Sequence, residues 1–191
     1  MKVNRLERIL LENLLEGLFT VGIQKEDIKG IYVYGSRLYG NDTENSDLDY
    51  VIILSDTSLV NNHEYFQSES ENLDLHFFTE KGYKIALENH DIMALECYFQ
   101  KDPILKYKVD FELDLQKLRK GISTITSNSW VKSKKKITID SEDSKIGLKS
   151  LYHTFRILNF GTQIAKYGEI INYVYTNSSY PFRIFNDSKT R

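Results

Sequence analysis

Cysteine is nearly absent from this chain: Cys97 is the only one in 191 residues, and there are just two prolines and four histidines. A single thiol closes no disulfide, and four scattered histidines give no zinc-ligand spacing. Any bound metal must therefore be held by oxygen, which points to a hard cation. Long hydrophobic runs are missing too, with nothing near the ~20 apolar residues needed to cross a bilayer. The start, Met1-Lys2-Val3-Asn4-Arg5, opens an amphipathic stretch carrying Glu7, Glu12 and Glu16 in place of a signal peptide. These lacks predict a cytoplasmic protein with no membrane partner. Low-complexity tracts are also missing, and 41% apolar and 13% aromatic residues are enough to offset the entropy of ordering. The length suits one domain with an appendage or two small domains.

A strong net charge is the last thing lacking, at −2 overall. That argues against avid nonspecific nucleic-acid binding. The balance nevertheless hides an asymmetry: residues 1–100 hold 8 Lys/Arg against 18 Asp/Glu, and residues 101–191 hold 17 against 9. Solvated helix faces explain such a split as readily as function does.

Along the chain, Leu6, Ile9, Leu10, Leu14, Leu15 and Leu18 recur at helical spacing and predict a helix over 4–19. Ile31-Tyr32-Val33-Tyr34 reads as a strand ending in a tight turn at Gly35-Ser36. Residues 38–46 read as a loop and Leu48 to Leu54 as a buried strand. Leu73 to Phe78 alternates, which sets Asp74, His76 and Phe78 on one face and Leu73, Leu75 and Phe77 on the other. Asp56, Glu64, Glu69 and Glu71 are assigned to loops. From Thr79 to about Phe99 the pattern turns helical, and Asp102-Pro103 is the expected boundary. Two further helical stripes follow, over 112–125 and 143–166, with Thr124 to Ser129 a weak point for any continuous helix. The expected organisation is a first unit at 1–102, a helical region at 103–176 and a loose tail at 177–191.

The chemistry concentrates between residues 35 and 74. A Gly-Ser turn after a strand lets backbone amides and one hydroxyl approach phosphate oxygens, because Gly35 has no Cβ to block them and Ser36 supplies the hydroxyl. Asp47 and Asp49, at i and i+2 on an extended segment, project to the same side and suit magnesium, with manganese the alternative. Asp74, on a neighbouring strand, completes a carboxylate set able to hold two ions roughly 3.5–4 Å apart for an in-line displacement. Arg37 has the charge and fork to reach a phosphate from the same turn. Farther on, Lys145, Lys149, His153 and Arg156 recur at spacings of three and four; Lys149 and Arg156 are second-rank nucleotide ligands on this reading. Lys132, Lys134, Lys135 and Lys136 beside Trp130 would suit a nucleic-acid backbone with an aromatic for stacking, or simply water.

Tyr34-Gly35-Ser36-Arg37-Leu38-Tyr39-Gly40, continuing to Asn45-Ser46-Asp47-Leu48-Asp49-Tyr50-Val51-Ile52, resembles the signature of the DNA polymerase β nucleotidyltransferase superfamily, closest in look to its small bacterial and phage members. Leu73-Asp74-Leu75 resembles that family's third-carboxylate strand, and Lys149 to Arg156 resembles, less specifically, the helix that follows its catalytic core. The resemblance implies an α+β fold, with a short mixed β-sheet core flanked by helices ahead of a mainly helical C-terminal half. It also implies transfer of a nucleoside monophosphate from a nucleoside triphosphate to a hydroxyl, with release of pyrophosphate. The acceptor stays open: an RNA 3′ end, a protein target as in toxin–antitoxin systems, or a small molecule. A noncatalytic nucleotide-binding module of the same fold is the reading from a different class.

Overall fold

The computed structural model describes residues 18, 23–44, 46–57, 63–68, 73–139 and 143–174. Most of the helix expected over 4–19, the acidic residues Glu69 and Glu71 and the tail at 177–191 lie outside the described residues. Four strands form one mixed sheet in the order β1-β2-β4-β3, where β1 is Ile28–Tyr34, β2 Leu48–Leu54, β3 His63–Ser68 and β4 Leu73–Thr79. Only the β2–β4 pair is parallel. As expected for a strand buried on both faces, β2 is an unbroken apolar run from Tyr50 to Leu54, and Val51 to Leu54 have no solvent exposure.

Alternation along the strands sorts the sheet into two cores. Ile31, Ile52, Leu73, Leu75 and Phe77 join Leu18 and Ile23 on one face; Tyr32, Val51, Ile53 and Phe78 pack on the other against the helices. The face assignment read from the alternation of β4 holds. Strand β3 went unread in the sequence, and Glu64 belongs to it and not to a loop.

Among the described residues five complete α-helices are numbered α1 Gly35–Tyr39, α2 Glu80–Glu88, α3 Ile92–Phe99, α4 Leu115–Thr138 and α5 Ser144–Tyr167. Three departures from the sequence reading have local causes. The turn at Gly35 winds into a five-residue helix, stopped by Gly40 in the left-handed region at φ 66°. The helical stretch after Thr79 is broken by His90 at φ 57°, beyond which Asp91 caps α3 by accepting from the amides of Met93 and Ala94. Helix α4 runs unbroken through Thr124–Ser129. There the Thr124 and Thr126 hydroxyls bond back to the carbonyls of Lys120 and Ile122, and Thr126 is buried against the neighbouring helix. Packing overrides a weak local propensity.

Helices α4 and α5 form an antiparallel hairpin in which Gly161 admits Ile122 and Gly147 admits Ile137; an added Cβ would stand 2.8 Å and 2.7 Å from those side chains. Between α3 and α4 the chain runs extended past the outer edge of β1. Ile31 and Leu105 exchange backbone hydrogen bonds, and the Gln100 side-chain amide donates to the Val33 carbonyl, so this edge is covered. Among the described residues no helix is long and apolar enough to cross a membrane.

Candidate active site

The end of β1 and the starts of β2 and β4 meet at one edge of the helix-covered face. Tyr34, the last residue of β1, is the register partner of Asp49, and Asp49 is in turn the partner of Asp74 across the parallel pair. Partners in adjacent strands lie about 4.8 Å apart with side chains on the same face. Gly35 sits at φ 65° with its backbone flat against the Asp49 carboxylate: an added Cβ would fall 1.7 Å from Oδ2. The Ser36 amide donates to that carboxylate. Asp47 stands exposed just ahead of β2.

The electrostatics match this crowding. Burial first, then the charges of Asp74 and Asp47, push the Asp49 carboxyl up to about 6, against the opposing pull of the Ser36 amide and Lys149. Oδ1 of Asp74 is buried and accepts no hydrogen bond within the protein. Such an oxygen costs stability unless something fills its lone pairs. Among the described residues no three His, Cys, Asp or Glu side chains converge tightly enough to cage an ion. The arrangement is an adjacent acidic pair with a third carboxylate at its rim, and that oxygen donor set fits a hard cation able to complete its shell from a ligand and water.

The basic residues divide. Lys149, on exposed α5 surface, acts electrostatically on Asp49. Arg37 instead braces its own loop: Nη2 donates to the Ser46 carbonyl at 3.3 Å and Nη1 lies 3.6 Å from the Asp42 carboxylate. Arg156 is turned inward. It is 8% exposed, its guanidinium carbon sits 3.6 Å above the Tyr39 ring, and Nη2 donates to His153 Nδ1 at 2.8 Å. His153 can accept because burial, then Arg156 and Lys132, hold its ring down at about 4 and so neutral. Trp130 and Lys132 do not share a flank, because positions i and i+2 of a helix are about 160° apart the short way round; the charge of Lys132 is felt at His153.

Sequence reasoning missed Glu96. It has no solvent exposure, receives the Tyr39 hydroxyl on Oε2, and leaves Oε1 without a partner. The available signal was a lone carboxylate inside the apolar run Ile92 to Phe99. Burial raises its carboxyl to about 7, against the lowering pull of Arg156 and Tyr39. Between about pH 4.5 and 7 the folded state therefore holds a proton that the unfolded chain has released, and this group's contribution to stability falls as pH rises through that window. Glu96→Gln is expected to remove that decline. Urea unfolding of both proteins at intervals from pH 4.5 to 8 measures it, and parallel curves would show that Glu96 does not titrate there.

A cavity of about 520 Å³, lined by Tyr34, Phe78, Ile85, Ala86, Met93 and His153 among others, opens on the same face. A larger one of about 840 Å³, between Lys84 and Lys117, holds none of the carboxylates above.

Residues 18–143 match the family described as polymerase beta, nucleotidyltransferase. A solved structure, that of a nucleotidyltransferase-like protein from Exiguobacterium sibiricum 255-15, is 13% identical with a TM-score of 0.37, over 82% of this chain and 58% of that one. The chain thus spans little more than half the length of that protein. No curated protein matches.

Proposed function

The chain belongs to the polymerase β nucleotidyltransferase family, and from that premise we propose that it moves a nucleoside monophosphate from a magnesium-bound nucleoside triphosphate to an acceptor hydroxyl. The observation that carries this reading is the Asp49–Asp74 pair, with one buried oxygen unsatisfied, lying directly against a glycine that leaves no room for a side chain. An acidic pair of this kind is destabilising alone and is stabilised by a cation.

Asp47, Asp49 and Asp74 would hold magnesium, whose charge would orient the triphosphate and polarise its α-phosphate. Gly35 and Ser36 would cradle the terminal phosphates, and Lys149 would offset the charge that develops on the leaving pyrophosphate. Asp74 would accept the proton of the attacking hydroxyl. The bond between the α-phosphorus and its bridging oxygen breaks as the acceptor oxygen attaches in line, with no covalent enzyme intermediate; positioning and charge supply the rate. The cavity beside Tyr34 offers apolar room for a nucleoside or acceptor ring.

For the acceptor we propose an RNA 3′ end, on the charge complementarity of the C-terminal half with its 17 Lys/Arg against 9 Asp/Glu. The test is incubation with each α-labelled triphosphate and magnesium, with total RNA, protein extract or neither, beside Asp47→Ala/Asp49→Ala. Label on RNA that is lost in the double variant is the expected result. Label on protein would replace the acceptor and keep the transferase; no label in any mixture, with no magnesium-dependent rise in Tm on adding triphosphate, would leave a noncatalytic module.

A further inference from the structure

Helix α1, which carries the Gly35-Ser36 turn at its start, ends at Tyr39, and Tyr39 is 2% exposed. Three other elements, two of them remote in sequence, converge on that one ring. From α3, Glu96 accepts its hydroxyl at 2.5 Å; from α5, the Arg156 guanidinium lies flat over it at 3.6 Å; from β1, Tyr34 meets it edge-on with centroids 5.9 Å apart. The clamp is itself braced. The neutral His153 ring accepts from Arg156, and the Tyr173 hydroxyl donates to the Glu96 backbone carbonyl at 2.7 Å.

A five-residue helix has too few internal hydrogen bonds to fix its own position. Its single buried anchor, Tyr39, must set where the Gly35 and Ser36 amides stand relative to Asp49. We propose that Arg156 and Glu96 are positioning residues that hold the Gly35-Ser36 turn in place by gripping Tyr39 from two sides, and that neither touches the nucleotide. This rests on the nucleotidyltransferase reading of the turn. It replaces a direct phosphate contact for Arg156, whose buried guanidinium is stacked on Tyr39 and donates through Nη2 to His153, with the buried Nε left without a partner among the described residues.

The two roles differ in what a lysine can do. A phosphate contact made through charge survives Arg156→Lys in large part, whereas a flat stack does not, because an ammonium has no plane to lay on the ring. Four variants test this: Arg156→Lys, Arg156→Met, Tyr39→Phe, which keeps the ring and loses only the hydroxyl, and Tyr83→Phe as control. Tyr83 is equally buried and donates to the Ala94 carbonyl, away from α1.

Amide hydrogen exchange over residues 35–40 of the free protein is the first readout. Exchange about tenfold faster in Tyr39→Phe, the scale of one lost hydrogen bond, and unchanged in Tyr83→Phe is expected. The second is MgATP affinity, expected to fall about equally in Arg156→Lys and Arg156→Met. Unchanged exchange in Tyr39→Phe, equal acceleration in Tyr83→Phe, or near-normal affinity in Arg156→Lys beside loss in Arg156→Met would each overturn the proposal. The exchange readout needs no ligand, so a wild-type protein that binds neither MgATP nor the magnesium complex of any other nucleoside triphosphate would sink the transferase reading and still leave the positioning role decided.

Discussion

Asp49→Asn is expected to lower nucleotidyl transfer by on the order of 10³ while raising the thermal midpoint of the metal-free protein. The two effects share one cause. Asp49 is half-buried beside Asp74 and close enough to Asp47 to feel its charge, and its carboxyl is displaced upward to about 6, mostly by burial. Above that pH the folded state carries an anion in a place that disfavours anions, and the unfolded chain does not. Asparagine removes the charge and keeps an oxygen for the Ser36 amide. Because solvent screens a group this open, the gain is put at about 1 kcal/mol, or about 2–4 °C in Tm for a chain of this size. Differential scanning fluorimetry in EDTA at pH 8, beside the labelled-triphosphate assay, checks both halves. A lower Tm would mean that the carboxylate is stabilised by contacts of its own. Retained activity would remove Asp49 from the metal site.

The strands that carry the carboxylates were legible for a simple reason: a buried strand writes its burial directly into the chain, either as the continuous run Tyr50 to Leu54 or as the alternation Leu73 to Phe78. That alternation set Asp74 on one face of its strand, but a continuous run assigns no face to Asp49. The register that makes them neighbours, and the antiparallel pairing that brings Tyr34 to Asp49, are properties of strand association and leave no mark on either strand alone. The clamp on Tyr39 was illegible for the same reason, since Tyr39, Glu96 and Arg156 are brought together by three separate elements. The basic spacing of α5 was read correctly as a stripe, but spacing does not say which end of the stripe is under cover. Lys149 is exposed and Arg156 is buried, a difference set by where α5 meets Tyr39 of α1. Unbroken α4 shows the converse case, where threonine hydroxyls and a buried partner helix supply what local propensity lacks.

Gly35→Ala is expected to cost both stability and activity, and Gly40→Ala stability alone. Both glycines sit in the left-handed region, at φ 65° and 66°, so alanine carries the same backbone strain at either, on the order of 1–2 kcal/mol. Their surroundings differ. At Gly40 the new methyl meets the Val174 side chain at 3.2 Å, and Val174 is 46% exposed and free to give way. At Gly35 the methyl would overlap the Asp49 carboxylate at 1.7 Å, with Cγ at 2.4 Å, so the carboxylate must swing out and surrender the Ser36 amide. A displacement of about 1 Å in a reacting constellation costs on the order of 10² in rate. Urea unfolding and label transfer measured on both variants separate strain from site. Adding Asp49→Ala to Gly35→Ala completes the comparison: with the carboxylate gone, the methyl has space, and the extra stability loss of Gly35→Ala over Gly40→Ala should disappear while activity stays absent. If Gly35→Ala and Gly40→Ala behave alike in both measurements, the close approach of the Gly35 backbone to Asp49 plays no part in the reaction. The turn would then be an ordinary helix start, and the phosphate cradle would have to be sought elsewhere on this face.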